Sequence, residues 1–207
     1  MLASHQNTKN AVIETFKSSP VIGSYLRLPE KISSIKDAIF LDKLDSFSEG
    51  MSDLSIEDVE KISNLNDDDL HKTILYYIDT VNQPWKARVL GEIFKKHIEN
   101  SIEQNVLVKL FETVNKMHED DFEECLWLLR GFYRAPDDQK YLYNNDVCNY
   151  LHYGLFSVKY KTQIEINEIL APISDRIYSK NDEEPVYYVP SPLGKDFFMA
   201  FKKSNGW

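Results

Sequence analysis

The sequence predicts a mainly α-helical protein with a multi-helix body and a small C-terminal α+β unit. Most of the chain has apolar residues at intervals of three and four, which is the spacing of one helix face. The β-prone runs that stand out, 155–158 and 186–189, both lie in the last third of the chain. A hydrophobic content of 43% over 207 residues is sufficient for a real core. We therefore expect a folded chain.

The first predicted helices are defined by their ends. Residues 33–49 carry apolar side chains at helical spacing after a serine N-cap, and Gly50 is expected to end the helix at the C′ position. Residues 55–62 form a shorter predicted helix. It opens with a capping box in which Ser55 is paired with Asp58.

The acidic run at 66–69 has the composition of a calcium loop but not its spacing. An EF-hand loop has Asp or Asn at alternate positions, a central glycine and a glutamate at its twelfth position. This run is instead typical of a helix N-terminus, where negative charge complements the helix dipole. We expect a helix from there to about residue 78.

The next predicted helix, at 85–100, has one apolar side and one basic side. Two further amphipathic helices follow, at about 101–117 and 120–132, the first with Asn100 or Ser101 as its N-cap. Short polar joints between consecutive amphipathic helices favour antiparallel packing. The basic side of the first of these helices is a candidate basic patch, comprising Lys86, Arg88, Lys95 and Lys96.

A change in composition indicates a junction at 131–145, where Pro136 is followed by a polar but aromatic tract. We therefore divide the chain into an N-terminal segment at 1–19, whose order the sequence leaves open, a helical body at 20–135 and a C-terminal unit at 136–207. No period of 20 to 50 residues repeats.

The C-terminal unit is predicted as helix, strand, inserted helix, strand and helix. Its first helix, at 146–152, stops at Gly154, which can adopt the left-handed conformation. An inserted helix within 160–184 separates the β-prone runs. Ser191, directly before a proline, is expected to cap the final helix. The buried face of that helix is predicted to comprise Phe197, Phe198 and Phe201.

The end of this unit resembles the last strand and helix of winged-helix domains. Its spacing is Tyr188, two residues, Ser191, two residues, Gly194 and then an aromatic helix. Winged helices that read DNA carry Lys, Arg, Asn or Gln on the recognition helix. The 146–152 helix has no Lys or Arg, and residues 136–207 hold eight basic against ten acidic groups. The resemblance therefore implies a packing or docking unit, with DNA binding as the alternative.

Composition narrows the classes of function. With 24 Lys and Arg against 33 Asp and Glu, the net charge of −9 repels phosphate backbones at long range and disfavours nucleic acid as a partner. Cys125 and Cys148 lie in apolar helical patterns and predict two buried, reduced thiols, with a disulfide as the alternative. The N-terminus has neither the basic region nor the apolar run of a signal peptide, and it predicts no membrane span. We expect a cytoplasmic protein.

The sequence has no motif for catalysis, metal binding or nucleotide binding. Its five histidines have no HExxH or HxH spacing, and no GxSxG, GxxxxGK[ST] or GxGxxG occurs. Adjacent carboxylates such as Glu123 and Glu124 diverge by ~100° on a helix and do not converge on a substrate. We therefore predict a chain that is not an enzyme and has no cofactor and no metal, with an enzyme of an unfamiliar type as a further alternative.

Three short features resemble a loose group of uncharacterised bacterial proteins. They are Pro20-Val21-Ile22-Gly23, then Trp85-Lys86-Ala87-Arg88-Val89-Leu90-Gly91, and the winged-helix-like ending. Some members of that group accompany phage-defence or stress loci. The resemblance implies a bacterial cytoplasmic accessory or regulatory protein with a membrane or a partner nearby, and it carries over no catalytic residue.

These observations predict a non-catalytic protein-interaction or regulatory module that binds a protein partner or itself. Tyrosines near the C-terminal unit are the candidate interaction surface, because aromatic side chains often anchor partners. The other interpretation of these tyrosines is that they complete the core. The alternative function is a DNA-binding transcriptional regulator that uses the C-terminal unit. The tyrosines are Tyr141, Tyr143, Tyr153, Tyr160, Tyr187 and Tyr188.

Overall fold

The computed structural model of the chain describes residues 35–52, 54–63, 67–135, 145–160 and 186–202. Seven α-helices lie within these residues. They are α1 (Ile35–Gly50), α2 (Ile56–Ser63), α3 (Asp68–Thr80), α4 (Pro84–Ile98), α5 (Gln104–Lys116), α6 (Glu119–Arg134) and α7 (Pro192–Phe201). Between α6 and α7 lie a 3₁₀ segment (Asn145–Tyr153) and the strands β1 (Phe156–Tyr160) and β2 (Val186–Pro190). The predicted mainly α-helical chain with two short strands near its C-terminus is confirmed. The N-terminal segment and the inserted helix within 160–184 lie outside the described residues.

The chain divides into two compact units, and the division falls between α5 and α6. The first unit extends to Lys116 and includes the chain from Ala200 onward, and the second comprises Met117–Met199. Within the second unit, α6 contacts both the 3₁₀ segment and β2. The boundary predicted at residue 136 placed this helix in the helical body.

In the first unit, α1 and α4 pack at close range through two glycines. A Cβ at Gly50 would lie 2.1 Å from the Arg88 carbonyl oxygen, and one at Gly91 would lie 2.0 Å from the Phe47 carbonyl oxygen. The rings of Phe47 and Phe94 meet beside this contact, with centroids 5.9 Å apart. α1 ends at Gly50, as predicted, but this residue lacks the positive φ of a C′ glycine, and it also allows the two helices to approach.

Two predicted helix starts are confirmed by their hydrogen bonds. The Ser55 hydroxyl accepts a hydrogen bond from the Asp58 amide at 3.1 Å and donates one to the Asp58 carboxylate at 2.7 Å. At α3, the Asp67 carboxylate accepts from the Leu70 amide at 2.9 Å. The acidic run therefore begins a helix, as its charge pattern predicts.

The end of α4 corrects the predicted start of α5. Asn100 has a φ of 55°, and the Ser101 amide donates to the Lys96 carbonyl oxygen at 2.8 Å. A left-handed residue with such a bond is typical of a helix C-terminus. Asn100 therefore ends α4, whereas the sequence predicted that it or Ser101 caps the following helix, which begins at Gln104.

The second unit is built around α6 and the part of α7 that ends at Met199. The ring of Phe122 packs edge-on against Phe197 at 5.6 Å, and Tyr133 stacks on Phe198 at 4.4 Å. Burial of the three phenylalanines predicted for α7 is confirmed. The buried stripe of α6 comprises Phe122, Cys125, Leu126, Leu128 and Leu129.

The hydroxyl of one serine links the residue before β1 to the start of α7 through hydrogen bonds. β1 and β2 are antiparallel, with Val158 opposite Tyr188. Gly154, before β1, has a φ of 74°, so its predicted left-handed conformation is confirmed. The Ser191 hydroxyl accepts from the Gly194 amide at 2.9 Å and donates to the Gly154 carbonyl oxygen at 2.6 Å. This serine caps α7, as predicted.

The segment before Gly154 is a 3₁₀ helix rather than the predicted α-helix. Three residues per turn place Val147, Tyr150 and Tyr153 on one side, so the side chain after Val147 points away from the core. Cys148 is accordingly exposed, and the prediction that it is buried is wrong. Cys125 is buried as predicted, and neither cysteine forms a disulfide.

Candidate interaction surface

The candidate basic patch begins with a lysine that is not on the surface. Lys86 is buried, and its ammonium donates to the Asn115 carbonyl oxygen at 2.8 Å, in the last turn of α5. Buried Lys43 likewise donates to the Asp79 carbonyl oxygen at 2.7 Å, in the last turn of α3. Burial lowers the pKa of Lys86. Both lysines complement the negative end of a helix, so the surface position predicted for Lys86 is corrected to an internal one.

The other three basic residues of α4 share their surface with glutamates. Arg88 and Lys95 are seven residues apart and lie on one stripe, but Glu92 lies between them on the same stripe. The Lys96 ammonium pairs with the Glu99 carboxylate at 2.7 Å. Alternating signs of charge are typical of a solvated helix face. This arrangement does not form a continuous positive strip along α4.

Most of the candidate tyrosines are placed on or near the strands. Tyr160 lies in β1, Tyr187 and Tyr188 lie in β2, and the Tyr188 side chain is half-buried. Tyr141 and Tyr143 lie outside the described residues. The tyrosine surface therefore stays a prediction.

Tyr153, by contrast, is an internal anchor. It is buried, its hydroxyl donates to the Asp121 carboxylate at 2.5 Å, and its ring centroid lies 3.8 Å from that of His152. Burial and this hydrogen bond raise the pKa of Tyr153. Burial, with Asp121 nearby, also raises the pKa of the Cys125 thiol to about 12. The tyrosine and the thiol are therefore neutral at ordinary pH, and a neutral buried thiol is a poor nucleophile.

The most exposed large apolar side chain among the described residues is Trp127, which is 62% exposed. It lies in the middle of α6, on the side opposite the buried stripe. Trp127 was not among the residues predicted from the sequence, although it carries a visible signal: it is an aromatic residue that falls outside the apolar periodicity of its helix. A large exposed ring on a well-packed helix is a candidate anchor for a partner.

An open glycine lies one turn after this tryptophan. Gly131 is exposed, and a Cβ there would meet nothing within 4 Å. A glycine inside a helix costs ~1 kcal/mol relative to alanine, and no neighbour among the described residues requires it here. Glu123 and Glu124 lie one turn before Trp127, and Arg134 lies near one turn after Gly131. We name these five residues the α6 outer face.

Other exposed apolar side chains lack such surroundings. Tyr76, on α3, is 61% exposed but packs edge-on against Tyr77 at 5.3 Å, and its helix contains no glycine. Ile39 and Leu41 on α1 and Met199 on α7 are also exposed. Single exposed apolar residues are normal on protein surfaces. Tyr76 therefore serves as a reference position for Trp127.

The described part of the chain contains neither a metal-binding cluster nor a membrane-spanning helix. There, no three His, Cys, Asp or Glu side chains are grouped so that they could hold a metal ion. None of the described helices combines the length and the apolar character that crossing a bilayer requires.

Comparison with known proteins gives a partial similarity. The chain is similar to part of the protein translocase subunit SecA of Clostridium novyi (strain NT), with 26% identity over 166 residues. The match covers 75% of this chain and 18% of that protein, so the chain spans less than a fifth of the length of the curated relative. No family model matches the chain, and no solved structure matches it.

Proposed function

We propose that this chain is a non-catalytic protein-interaction module that binds a protein partner through the α6 outer face. The observation that carries the proposal is the exposed Trp127 beside the open Gly131. Tryptophan is enriched at the energetic centres of protein interfaces, and a glycine beside it lets a partner approach the helix closely.

The magnitude of the possible contact supports this choice. A tryptophan side chain buries up to ~250 Å² of surface, and Trp127 leaves 62% of its own exposed. At ~25 cal/mol per Å², covering that area contributes roughly 3 to 4 kcal/mol to binding before the entropic costs of association. Because association costs roughly 4 kcal/mol or more, the polar neighbours Glu123, Glu124 and Arg134 must contribute to binding beside this anchor.

The non-catalytic part of the proposal is supported by the internal network of the second unit. Cys125 is buried with a pKa of about 12, and Tyr153 and Asp121 bond each other rather than facing solvent. The similarity to a short part of SecA favours a module over the activity of the whole translocase. A bacterial accessory role in phage defence or stress response is the proposed setting, and it is supported by the sequence resemblance alone.

A DNA-binding regulator is the alternative proposal and has less support. The element in the position of a recognition helix, Asn145–Tyr153, is a 3₁₀ segment that contains no Lys or Arg. The basic residues of α4 alternate with Glu92 and Glu99. A groove-reading surface needs basic or amide side chains that project together from one element.

Photocrosslinking in the native cell tests the proposed function. A benzophenone amino acid is incorporated at position 123, on the α6 outer face beside the intact Trp127, in one variant and at the exposed position 76 in a control variant. We expect crosslinked polypeptides from position 123 and few from position 76, identified by mass spectrometry. Equal yields at both positions, or none at position 123, would show that the α6 outer face is not a binding surface.

A further inference from the structure

We infer that the partner of the α6 outer face is a second copy of this chain, with the two α6 helices packed antiparallel. The inference rests on the proposed function, because it assumes that this face binds protein. It goes further by naming the occupant and the register. The physical basis is that the face is complementary to itself.

The complementarity follows from residue spacing. Trp127 and Gly131 lie at equal distances from position 129, and so do Glu124 and Arg134. A two-fold axis at position 129 therefore places each Trp127 over the open Gly131 of the other copy. The same axis places each Glu124 opposite an Arg134. At 1.5 Å per residue, the members of these pairs are about 6 Å and 15 Å apart along one helix, so a single register aligns both.

The two contacts are complementary in size and in charge. Gly131 offers open space where a Cβ would meet nothing, which suits the bulk of an indole. Glu124 and Arg134 carry opposite charges, and a two-fold axis repeats each contact twice. A parallel pair would instead set Trp127 against itself and Glu124 against itself, which opposes like charges.

The size of the face predicts a weak association. α6 has 16 residues, so its length is about 24 Å. One pair of such helices buries less than the ~1,200 Å² at the lower end of stable interfaces. We therefore expect a reversible dimer that forms at micromolar to millimolar chain concentration.

Sedimentation velocity of the purified full chain, from about 5 to 500 µM, tests this dimer. The wild-type sedimentation coefficient is expected to rise with concentration. Trp127→Ala should weaken the dimer by ~10-fold or more, since it removes the anchor. Tyr76→Ala, a matched change in the first unit, should leave the dimer unchanged.

Gly131→Leu separates binding from folding. The new leucine side chain enters open space within one copy, and leucine has a higher helix propensity than glycine. The folded monomer should therefore keep or gain stability. In the dimer, the same side chain occupies the site of the opposing indole, and the dissociation constant should rise by ~10-fold or more. A variant that folds at least as well but no longer dimerises is not explained by misfolding.

Charge reversal tests the register. Arg134→Glu should weaken the dimer by ~10-fold, because it sets a carboxylate opposite Glu124 of the other copy, and the axis repeats this repulsive contact twice. Glu124→Arg in the same chain should restore it. An equimolar mixture of the two single variants should form a mixed dimer in preference to either homodimer.

Three results would overturn the inference: a wild-type chain that stays monomeric throughout the range, an association that Trp127→Ala leaves unchanged, or a double charge reversal that fails to restore the dimer. A crosslink from position 123 to a different protein, with a monomeric purified chain, would overturn this inference and leave the proposed function standing. A purified chain that stays monomeric and gives no crosslink from position 123 in cells would contradict both.

Discussion

Replacing Gly91 by alanine should destabilise the first unit, because α1 leaves no room for a side chain there. The new Cβ would lie 2.0 Å from the Phe47 carbonyl oxygen and 3.2 Å from the Cα of Gly50. An ordinary contact with an oxygen atom requires more than 3 Å. The two helices must therefore move apart by about 1 Å, which disrupts the packing of Phe47 against Phe94.

The magnitude is the difference between two opposing effects. Overpacking a closely packed contact costs about 1 to 3 kcal/mol, and more when the backbone must move. Alanine recovers ~1 kcal/mol of helix propensity relative to glycine. Since the obstacle is backbone rather than a flexible side chain, we expect the cost to be near the upper limit. The net loss is about 2 kcal/mol.

Gly131→Ala is the matched control for Gly91→Ala. It makes the same substitution inside a helix, but its Cβ meets nothing within 4 Å. Only the propensity effect remains, so we expect a gain of ~1 kcal/mol in the free energy of unfolding. The same chemical change is thus predicted to have opposite signs at the two positions.

Urea denaturation followed by circular dichroism measures both effects, and native-state hydrogen exchange assigns each to its own unit. Gly50→Ala should behave like Gly91→Ala, because its Cβ would lie 2.1 Å from the Arg88 carbonyl oxygen. The double variant should cost less than the sum, since helices already separated by one methyl accommodate the second. A Gly91→Ala chain as stable as the wild type, or additive costs in the double variant, would refute the close packing of α1 on α4.

Three further predictions concern single side chains. Lys86→Met should lower the free energy of unfolding by about 1 to 3 kcal/mol, because the partly buried Asn115 carbonyl oxygen loses its donor; an unchanged urea midpoint would contradict this. Ser191→Ala should lower the free energy of unfolding, measured by thermal denaturation, by about 1 to 2 kcal/mol, because α7 loses its N-cap. An unchanged melting temperature would argue against this cap. A thiol reagent at pH 8 should modify Cys148 rapidly and Cys125 only after unfolding, because Cys125 is buried and burial raises its pKa to about 12. Rapid modification of both cysteines in the folded chain would contradict the burial of Cys125.

Features set by near neighbours in the chain could be predicted from the sequence. The caps formed by Ser55 and Ser191 depend on residues three positions away, and both are present. The left-handed Gly154 depends on the absence of a side chain. Periodicity was sufficient to identify the buried phenylalanines of α7, because a helix face is a local property.

Features set by distant residues could not be predicted in this way. Lys86 is buried because the end of α5, 29 residues away, offers it a carbonyl oxygen. Gly50 ends α1 as predicted, but its close contact with α4 depends on how the two helices pack. Cys148 is exposed because its segment has three residues per turn, and periodicity alone does not distinguish that from an α-helix. The errors at Lys86 and Cys148 thus arose from a tertiary contact and a helix type, not from residue character.

The glycines inside the helices connect the fold to the proposed surface. Gly91 has a reason within the chain, because a methyl group there would strike α1. Gly131 has no such reason among the described residues, and a partner that approaches from outside is the explanation that the proposed surface offers. The Gly131→Ala measurement tests this explanation. A gain of ~1 kcal/mol would agree with it, whereas a loss would reveal an internal contact and leave Trp127 as the sole support for the α6 outer face.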